Sequence, residues 1–205
     1  MTAATITTPR LATAAALAVA AWLGLVLLGG ATGFFVRLPF PGPQLIILVL
    51  VAATLVAAIG VPGVRTWVDA LPLRALIGIN ALRFIGITFL VLAARGQIAS
   101  VFAERAGWGD IATAALAIVL VAVNAPRTSL GRGLTHLWNA FGFLELVVAV
   151  GTATAVTLQQ TGPGVEPVLT LPLVVVPAFF VPIFLATHVM IFRRLVALAR
   201  GADAH

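Results

Sequence analysis

The stretch LRALIGINALRFIGITFLVLAAR, residues 73–95, decides how this sequence must fold. It is long enough to cross a bilayer, because a helix needs about 20 mostly apolar residues to span the hydrocarbon core. It also holds Asn80 and Arg83 in the middle of the apolar run. An arginine at the centre of a spanning helix costs roughly 2.5 to 3.5 kcal/mol on insertion scales, so the rest of the chain must supply a partner for it.

The composition of the whole chain also indicates a membrane protein. Of 205 residues, 61% are hydrophobic and 9% are charged, whereas soluble domains carry roughly 25% charged residues. The connections between the apolar runs are too short to form a soluble domain. The sequence therefore predicts an all-α polytopic transmembrane helix bundle that forms one domain over residues 1–205. Its six predicted spans are 11–35, 44–62, 73–95, 109–125, 136–158 and 168–191.

The arginines predict how the bundle is oriented. With the N-terminus in the cytoplasm, eight arginines fall on the cytoplasmic side and three on the other, which agrees with the positive-inside bias. We therefore expect a bacterial cytoplasmic membrane with both termini cytoplasmic. The first run resembles a signal peptide but continues to about Phe35, longer than the roughly 7 to 15 residues of a signal core. A retained first span is expected.

Glu145 is the predicted partner of Arg83. Arg83 lies near mid-membrane in its span, and Asn80, three residues earlier, shares its helix face. Glu145 is the one carboxylate well inside a predicted span, at a similar depth in the fifth. The pair either locks two helices together or leaves Arg83 able to bind a carboxylate or phosphate group.

The fifth and sixth spans add further polar residues. Asn139 lies early in the fifth span, and His188 is expected about one turn from the cytoplasmic end of the sixth. Three prolines, Pro172, Pro177 and Pro182, recur in the sixth span. Each removes a backbone N–H and frees a carbonyl, which membrane helices tolerate when neighbours satisfy that carbonyl. A bent helix lining a cavity and a rigid kinked helix both fit this pattern.

Asp110 is expected at the opposite rim. Gly107 and Gly109 are expected to break the chain, which would place Asp110 at the N-cap of the fourth span. Asp110 could instead join an outer gate with nearby arginines. The preceding segment, residues 96–107, fits a short helix in the membrane interface.

Several classes of chemistry are excluded or unsupported. With no cysteine there is no disulfide, thiolate nucleophile or cysteine-bound metal. The absence of lysine excludes a Schiff base, and no hydrolase or NTPase motif is present, so enzyme activity is left open. His136 and His188 lack the further ligands that haem or a metal needs, so no cofactor and no metal are predicted. The arginines occur singly or in pairs, which does not indicate nucleic-acid binding.

Three functions are compatible with the sequence. The first is binding or transport of a small, anionic or amphipathic molecule through the buried polar residues. The second is a membrane-embedded enzyme acting on a lipid or isoprenoid, with Glu145 or Asp110 as acid or base. The third is a structural or regulatory subunit, and membrane lipids, a small-molecule ligand or a second copy of the chain are the expected partners. The predicted substrate-binding residues are Arg83, Asn80, Glu145, Asn139, His188 and Asp110.

Three motifs resemble a family of small bacterial integral membrane proteins with no activity attached to it. They are FAERAGWGD at 102–110, LWNAFGFLELVVAV at 137–150 and LPLVVVPAFFVPIFLATHVMIFRRL at 171–195. The resemblance covers about the last 125 residues and implies a helical bundle with a shared polar set. Glu145 stands where the family pattern more often has aspartate. The matching positions are Arg83, Gly109, Asp110, Trp138, Asn139, Glu145, Pro172, Pro177, Pro182 and His188.

Overall fold

The computed structural model describes residues 7–159 and 162–202, which form helices joined by short turns, with no strand in those ranges. The helices are α1 Thr7–Ala31, α2 Phe34–Arg37, α3 Gly42–Gly60, α4 Pro62–Ala70, α5 Leu73–Gly78, α6 Gly86–Ala94, α7 Ser100–Ala122, α8 Ser129–Gln159 and α9 Val181–Ala202. A 3₁₀ segment, Ile79–Ile85, joins α5 to α6, and a π-helical turn, Val176–Phe180, leads into α9. Two short 3₁₀ turns lie at Ala125–Arg127 and Glu166–Leu169.

Six helical stretches are long and apolar enough to cross a membrane, which confirms the predicted polytopic helical fold. The first three lie close to their predicted positions, while the last three differ in where they begin or end. The observed stretches are Thr13–Ala31, Gly42–Gly60, Leu73–Ala94, Ser100–Ala122, Ser129–Gln159 and Val176–Arg200.

The fourth span begins earlier than predicted. α7 runs without interruption from Ser100 to Ala122, so Gly107 and Gly109 lie inside a helix. A Cβ at Gly107 would lie 2.8 Å from Leu90 Cγ and 2.9 Å from the Gly86 carbonyl oxygen. This glycine therefore permits close helix packing and does not break the chain. The predicted break, the N-cap role of Asp110 and a separate interfacial helix at 96–107 are wrong.

The sixth span is shifted toward the C-terminus relative to its predicted range. Residues 171–174 form turns, because closely spaced prolines deprive this part of the chain of regular α-helical hydrogen bonds. α9 then continues to Ala202. His188 consequently lies well inside a long helix and has no exposed surface, so its predicted place one turn from a span end is wrong.

The chain divides into two compact units, each described by itself. The first comprises Met1–Leu71 and Val168–Ala186, and the second comprises Pro72–Pro167 and Thr187–His205. Buried aliphatic and aromatic side chains form the core of the first unit, with Trp22 and Leu23 among the partly buried residues packed against it. This core consists of Val26, Phe35, Val174, Ala178 and Phe179.

Within the first unit, Trp22 satisfies a carbonyl that a proline leaves open. In an α-helix the N–H of residue 182 would donate to the carbonyl of residue 178, but Pro182 has no N–H. Trp22 Nε1 donates to the Ala178 carbonyl over 3.0 Å instead. The expectation that neighbours satisfy proline-freed carbonyls is confirmed at this position.

Replacing Trp22 with phenylalanine is expected to lower the free energy of unfolding by about 1 to 2 kcal/mol. An aromatic ring still fills the site, but a carbonyl shielded from water loses its donor. Thermal unfolding of the purified protein in detergent measures the change. Trp108, which is 62% exposed, provides the matched control as Trp108→Phe. Equal melting temperatures for the two variants would show that the Trp22 hydrogen bond contributes nothing.

In the second unit, α7 packs against α6, the 3₁₀ segment and α8. The rings of Phe89 and Phe102 meet with centroids 5.3 Å apart, which joins α6 to α7. Trp138 Nε1 donates to the Thr113 carbonyl over 3.0 Å, which joins α8 to α7. These contacts bring the polar faces of three spans together.

Candidate functional site

The 3₁₀ segment Ile79–Ile85 carries the two polar residues of the third span. A 3₁₀ helix has three residues per turn, so Asn80 and Arg83 lie in line along it. Both are fully buried. Gly86 follows the segment, and a Cβ there would lie 2.6 Å from Asp110 Cβ. The glycine therefore allows the segment to approach α7 closely.

Arg83 lies at the centre of a network contributed by three other helices. Its Nε donates to Asp110 Oδ1 over 2.6 Å, and its Nη2 is paired with Glu145 Oε2. Its Nη1 donates to the Gly142 carbonyl over 3.0 Å and faces His188 Nε2 at 3.4 Å. The expected contact between Arg83 and Glu145 is present, and Asp110 supplies a second carboxylate. We call these five residues, with Asn80 and Asn139, the polar centre.

Asn139 and His188 form a two-point clasp between α8 and α9. Asn139 Nδ2 donates to the His188 backbone carbonyl over 2.9 Å, which fixes the orientation of the amide. Asn139 Oδ1 then faces His188 Nδ1 at 2.8 Å and can only accept, so Nδ1 carries the hydrogen. His188 Nε2 is consequently an acceptor toward Arg83, which requires a neutral imidazole.

Two glycines bring helix backbone against the charged groups. A Cβ at Gly109 would lie 2.7 Å from Glu145 Cδ, and one at Gly142 would lie 2.7 Å from His188 Cε1. The Gly142 carbonyl also accepts from Arg83, a contact made by backbone that residue type alone cannot indicate. Gly142 precedes Glu145 by three residues and therefore shares its helix face, whereas the sequence indicated a chain break at Gly109 and not a packing role.

Replacing Gly109 with alanine is expected to cost about 1 to 3 kcal/mol of stability, because the new methyl group overlaps Glu145 and forces it away from Arg83. At Gly151, in α8, no neighbouring atom lies within 4 Å of where a Cβ would stand, so Gly151→Ala provides the control. Chemical denaturation in detergent compares the two variants. If Gly109→Ala is as stable as Gly151→Ala, the contact between α7 and Glu145 is looser than described.

The charges of the polar centre do not balance. Among the described residues, two carboxylates, Asp110 and Glu145, face the single guanidinium of Arg83. With a neutral His188 the sum is one negative charge when both carboxyls are ionised, which is costly in a water-poor interior. Glu145 Oε1 and Asn80 Oδ1 are buried and have no hydrogen-bond partner among the described residues. The centre is therefore suited to accept a proton or a hydrogen-bond donor.

A metal site is not apparent in the described ranges. No group of three His, Cys, Asp or Glu side chains within residues 7–159 and 162–202 is placed to hold a metal ion. His136, the other histidine considered for haem or metal, lies with its Nδ1 3.1 Å from the Arg132 carbonyl and its ring against Phe192. It takes no part in the network around Arg83.

The structure brings all six predicted site residues into the second unit, and five of them are joined in one network around Arg83. Asp110, Glu145 and His188 face Arg83 itself, while Asn139 is linked to it through His188. Asn80 stands apart from that network in its bonding, since its Nδ2 donates to the Leu76 carbonyl of its own helix over 3.1 Å. Its side-chain oxygen is buried and has no hydrogen-bond partner among the described residues.

Comparison with known proteins places the chain in a family. Neither the curated proteins nor the solved structures give a match to it. One family profile, described as Domain of unknown function (DUF8737), matches residues 40–196 and includes every residue of the polar centre. The match begins earlier than the last 125 residues over which a family resemblance was expected. Because it covers well over half of the sequence, the protein belongs to the DUF8737 family.

Proposed function

We propose that this protein binds and transports a small molecule with an anionic group across the bacterial cytoplasmic membrane. The observation that carries the proposal is the pairing of Arg83 with Glu145, whose second oxygen, Oε1, has no hydrogen-bond partner among the described residues. Buried polar atoms in a purely structural network are normally satisfied. A centre with unsatisfied acceptors is better suited to a ligand that completes it.

The arrangement around Arg83 separates fixed contacts from an exchangeable one. Asp110 holds Nε, and the Gly142 carbonyl accepts from Nη1, so both keep the guanidinium in place. Glu145 faces the remaining nitrogen, Nη2. A ligand carboxylate or phosphate can replace Glu145 there, since one charge-assisted hydrogen bond is exchanged for another. Asn80 Oδ1 would accept a hydrogen from a hydroxyl or amine of the same ligand.

The helix that carries Arg83 supports a transport role. The third span is not a continuous α-helix, because the 3₁₀ segment Ile79–Ile85 separates α5 from α6. Interrupted helices are common at the binding sites of membrane transporters, and a 3₁₀ stretch within a helix often marks a hinge. Movement at this segment would shift Arg83 relative to Asp110 and Glu145.

The positions of the helix ends support cytoplasmic termini. Counting six spans, Arg65, Arg127 and Arg132 lie in or beside connections on the same membrane side as both chain ends, whereas Arg37 and Arg95 lie in connections on the other side. The excess of arginine on the first side matches the positive-inside bias of cytoplasmic loops. The proposed orientation therefore has both termini in the cytoplasm.

Mass spectrometry of co-purifying small molecules tests the proposal. The neutral triple variant Arg83→Met/Asp110→Asn/Glu145→Gln removes every charge of the centre without leaving one unpaired, and it is expected to fold and to lose the bound anion. Glu104→Gln, at an exposed position of α7, is the control and should retain it. If the folded triple variant carries the same molecules as wild type in the same amounts, the centre is not a binding site.

A further inference from the structure

We propose that each anion bound at Arg83 is accompanied by one proton, which Glu145 takes up as its carboxylate leaves Nη2. This inference rests on the proposed function and adds its coupling ion. It makes the protein a proton-coupled symporter of a monovalent organic anion, with one proton carried per anion. The inference depends on the charges and contacts of the polar centre.

The charges of the centre require the proton. Arg83 and Asp110 neutralise each other across the 2.6 Å hydrogen bond, so ionised Glu145 is the one negative charge in excess. A monovalent anion bound beside ionised Glu145 would raise the excess to two negative charges. The site is buried, since Arg83 has no exposed surface. When Glu145 is protonated, the anion takes over its charge and the excess stays at one. Burial of a second uncompensated charge is strongly unfavourable, so the anion can bind only when Glu145 is protonated.

Glu145 is better suited to hold this proton than its two titratable neighbours. His188 already donates from Nδ1 to Asn139, and a hydrogen on Nε2 would point at the N–H of Arg83. Asp110 is held by its hydrogen bond to Nε and by the close approach of Gly86. Glu145 Oε1 has no partner among the described residues and can carry an O–H.

Arg105 of α7 is a charged group that contacts α8 outside this exchange. Its Nη1 donates to Thr152 Oγ1 over 3.4 Å, two turns along α8 from Glu145. Among the described residues, Arg83 from the 3₁₀ segment and the backbone of Gly109 from α7 face Glu145, while Asp110 and His188 face the other nitrogens of Arg83.

The exchange needs no co-reactant beyond water-borne protons. A proton adds to Oε1 of Glu145, and the contact between Oε2 and Arg83 Nη2 opens. Arg83 Nη2 then donates to the incoming carboxylate. On release the anion leaves, the O–H bond of Glu145 breaks, its proton returns to water, and the ion pair with Arg83 forms again.

Infrared difference spectroscopy of the full-length protein tests where the proton resides, without any ligand. Between alkaline and acidic buffer, wild type should gain the C=O band of a protonated buried carboxyl. The band should be missing from Glu145→Gln and retained in Glu104→Gln, whose substitution lies on an exposed position. A band that persists in Glu145→Gln, or disappears in Asp110→Asn instead, would overturn the assignment to Glu145.

Titration calorimetry with acetate tests the coupling. Repeating the titration in buffers of different ionisation enthalpy counts the protons taken up for each acetate bound. We expect one proton per bound acetate for wild type and for Glu104→Gln, and none for Glu145→Gln, whose amide takes up no proton. Acetate binding without proton uptake in wild type would overturn the coupling and leave the proposed function standing. No acetate binding together with an intact Glu145 band would count against the proposed function and not against the proton site.

Discussion

Replacing Arg83 with methionine is expected to lower the free energy of unfolding by about 3 to 5 kcal/mol, the largest effect expected of any single substitution at the polar centre. Methionine keeps most of the length of the side chain while removing its charge. Asp110 and Glu145 would then lie buried without their common partner, and the Gly142 carbonyl would lose its side-chain donor. Denaturation of the purified protein in detergent measures the loss.

The neutral triple variant separates the charge effect from the packing effect. If the cost of Arg83→Met arises from uncompensated carboxylates, adding Asp110→Asn and Glu145→Gln should recover most of the lost stability. Lysine at position 83, tested as Arg83→Lys, should recover little of the stability lost in Arg83→Met. A single ammonium cannot reproduce the three differently directed N–H donors that meet Asp110, Gly142 and Glu145. A triple variant no more stable than the single one would show that packing around the guanidinium, and not charge, dominates.

The contact between Arg83 and Glu145 could be predicted because charged groups inside spans are rare and costly. Once six apolar runs are placed, Arg83 is the one arginine at the middle of a span and Glu145 the one carboxylate at a similar depth. Lipid provides no hydrogen-bonding partner, so the protein must provide one. Predicting this pair needs only composition and helix rise, both of which can be taken from the sequence.

The role of Asp110 could not be predicted in the same way, because a glycine can either interrupt a helix or allow two helices to pack closely. In soluble proteins, glycines before an aspartate favour a helix start. Applied to Gly107 and Gly109, this rule predicted that Asp110 lies at a rim of the helix bundle. In α7 the two glycines instead allow neighbouring helices to approach, and the helix begins at Ser100. Local sequence does not distinguish a chain break from a close helix contact, since the difference lies in what packs on the other side.

The 3₁₀ geometry of Ile79–Ile85 could not be predicted from the sequence either. The segment has no proline, and its apolar residues suit an ordinary α-helix. The helix tightens to 3₁₀ geometry where Arg83 contacts Asp110, Gly142 and Glu145 at once. The positions of these three residues are set by other helices. Tertiary contacts of this kind override local preference, which is why the residues of the centre were easier to predict than its geometry.

Replacing Asn139 with leucine is expected to have the second largest effect, a loss of about 2 to 4 kcal/mol. The substitution keeps the branched shape of the side chain and removes both hydrogen bonds to His188, whose backbone carbonyl would lose its side-chain donor and whose Nδ1–H would lose its acceptor in a fully buried site. Asn139→Asp keeps an acceptor for Nδ1, but it turns a carboxylate oxygen toward the His188 carbonyl and adds a negative charge to a buried centre that already has one in excess, so it should cost at least as much. Thr157→Val, which removes a hydrogen bond within α8 only, is the control.

The imidazole of His188 provides a readout that stability alone does not. In wild type its ring nitrogens should show the neutral form with hydrogen on Nδ1, because Asn139 Oδ1 accepts from that atom. Nitrogen NMR of protein labelled at histidine should report this tautomer in wild type and in Asn139→Asp, and its loss in Asn139→Leu. A wild-type ring with hydrogen on Nε2 would place a donor opposite the Arg83 N–H. It would mean that the clasp does not set the hydrogen bonding of the polar centre, and that Asn139 stabilises only the packing of α8 against α9.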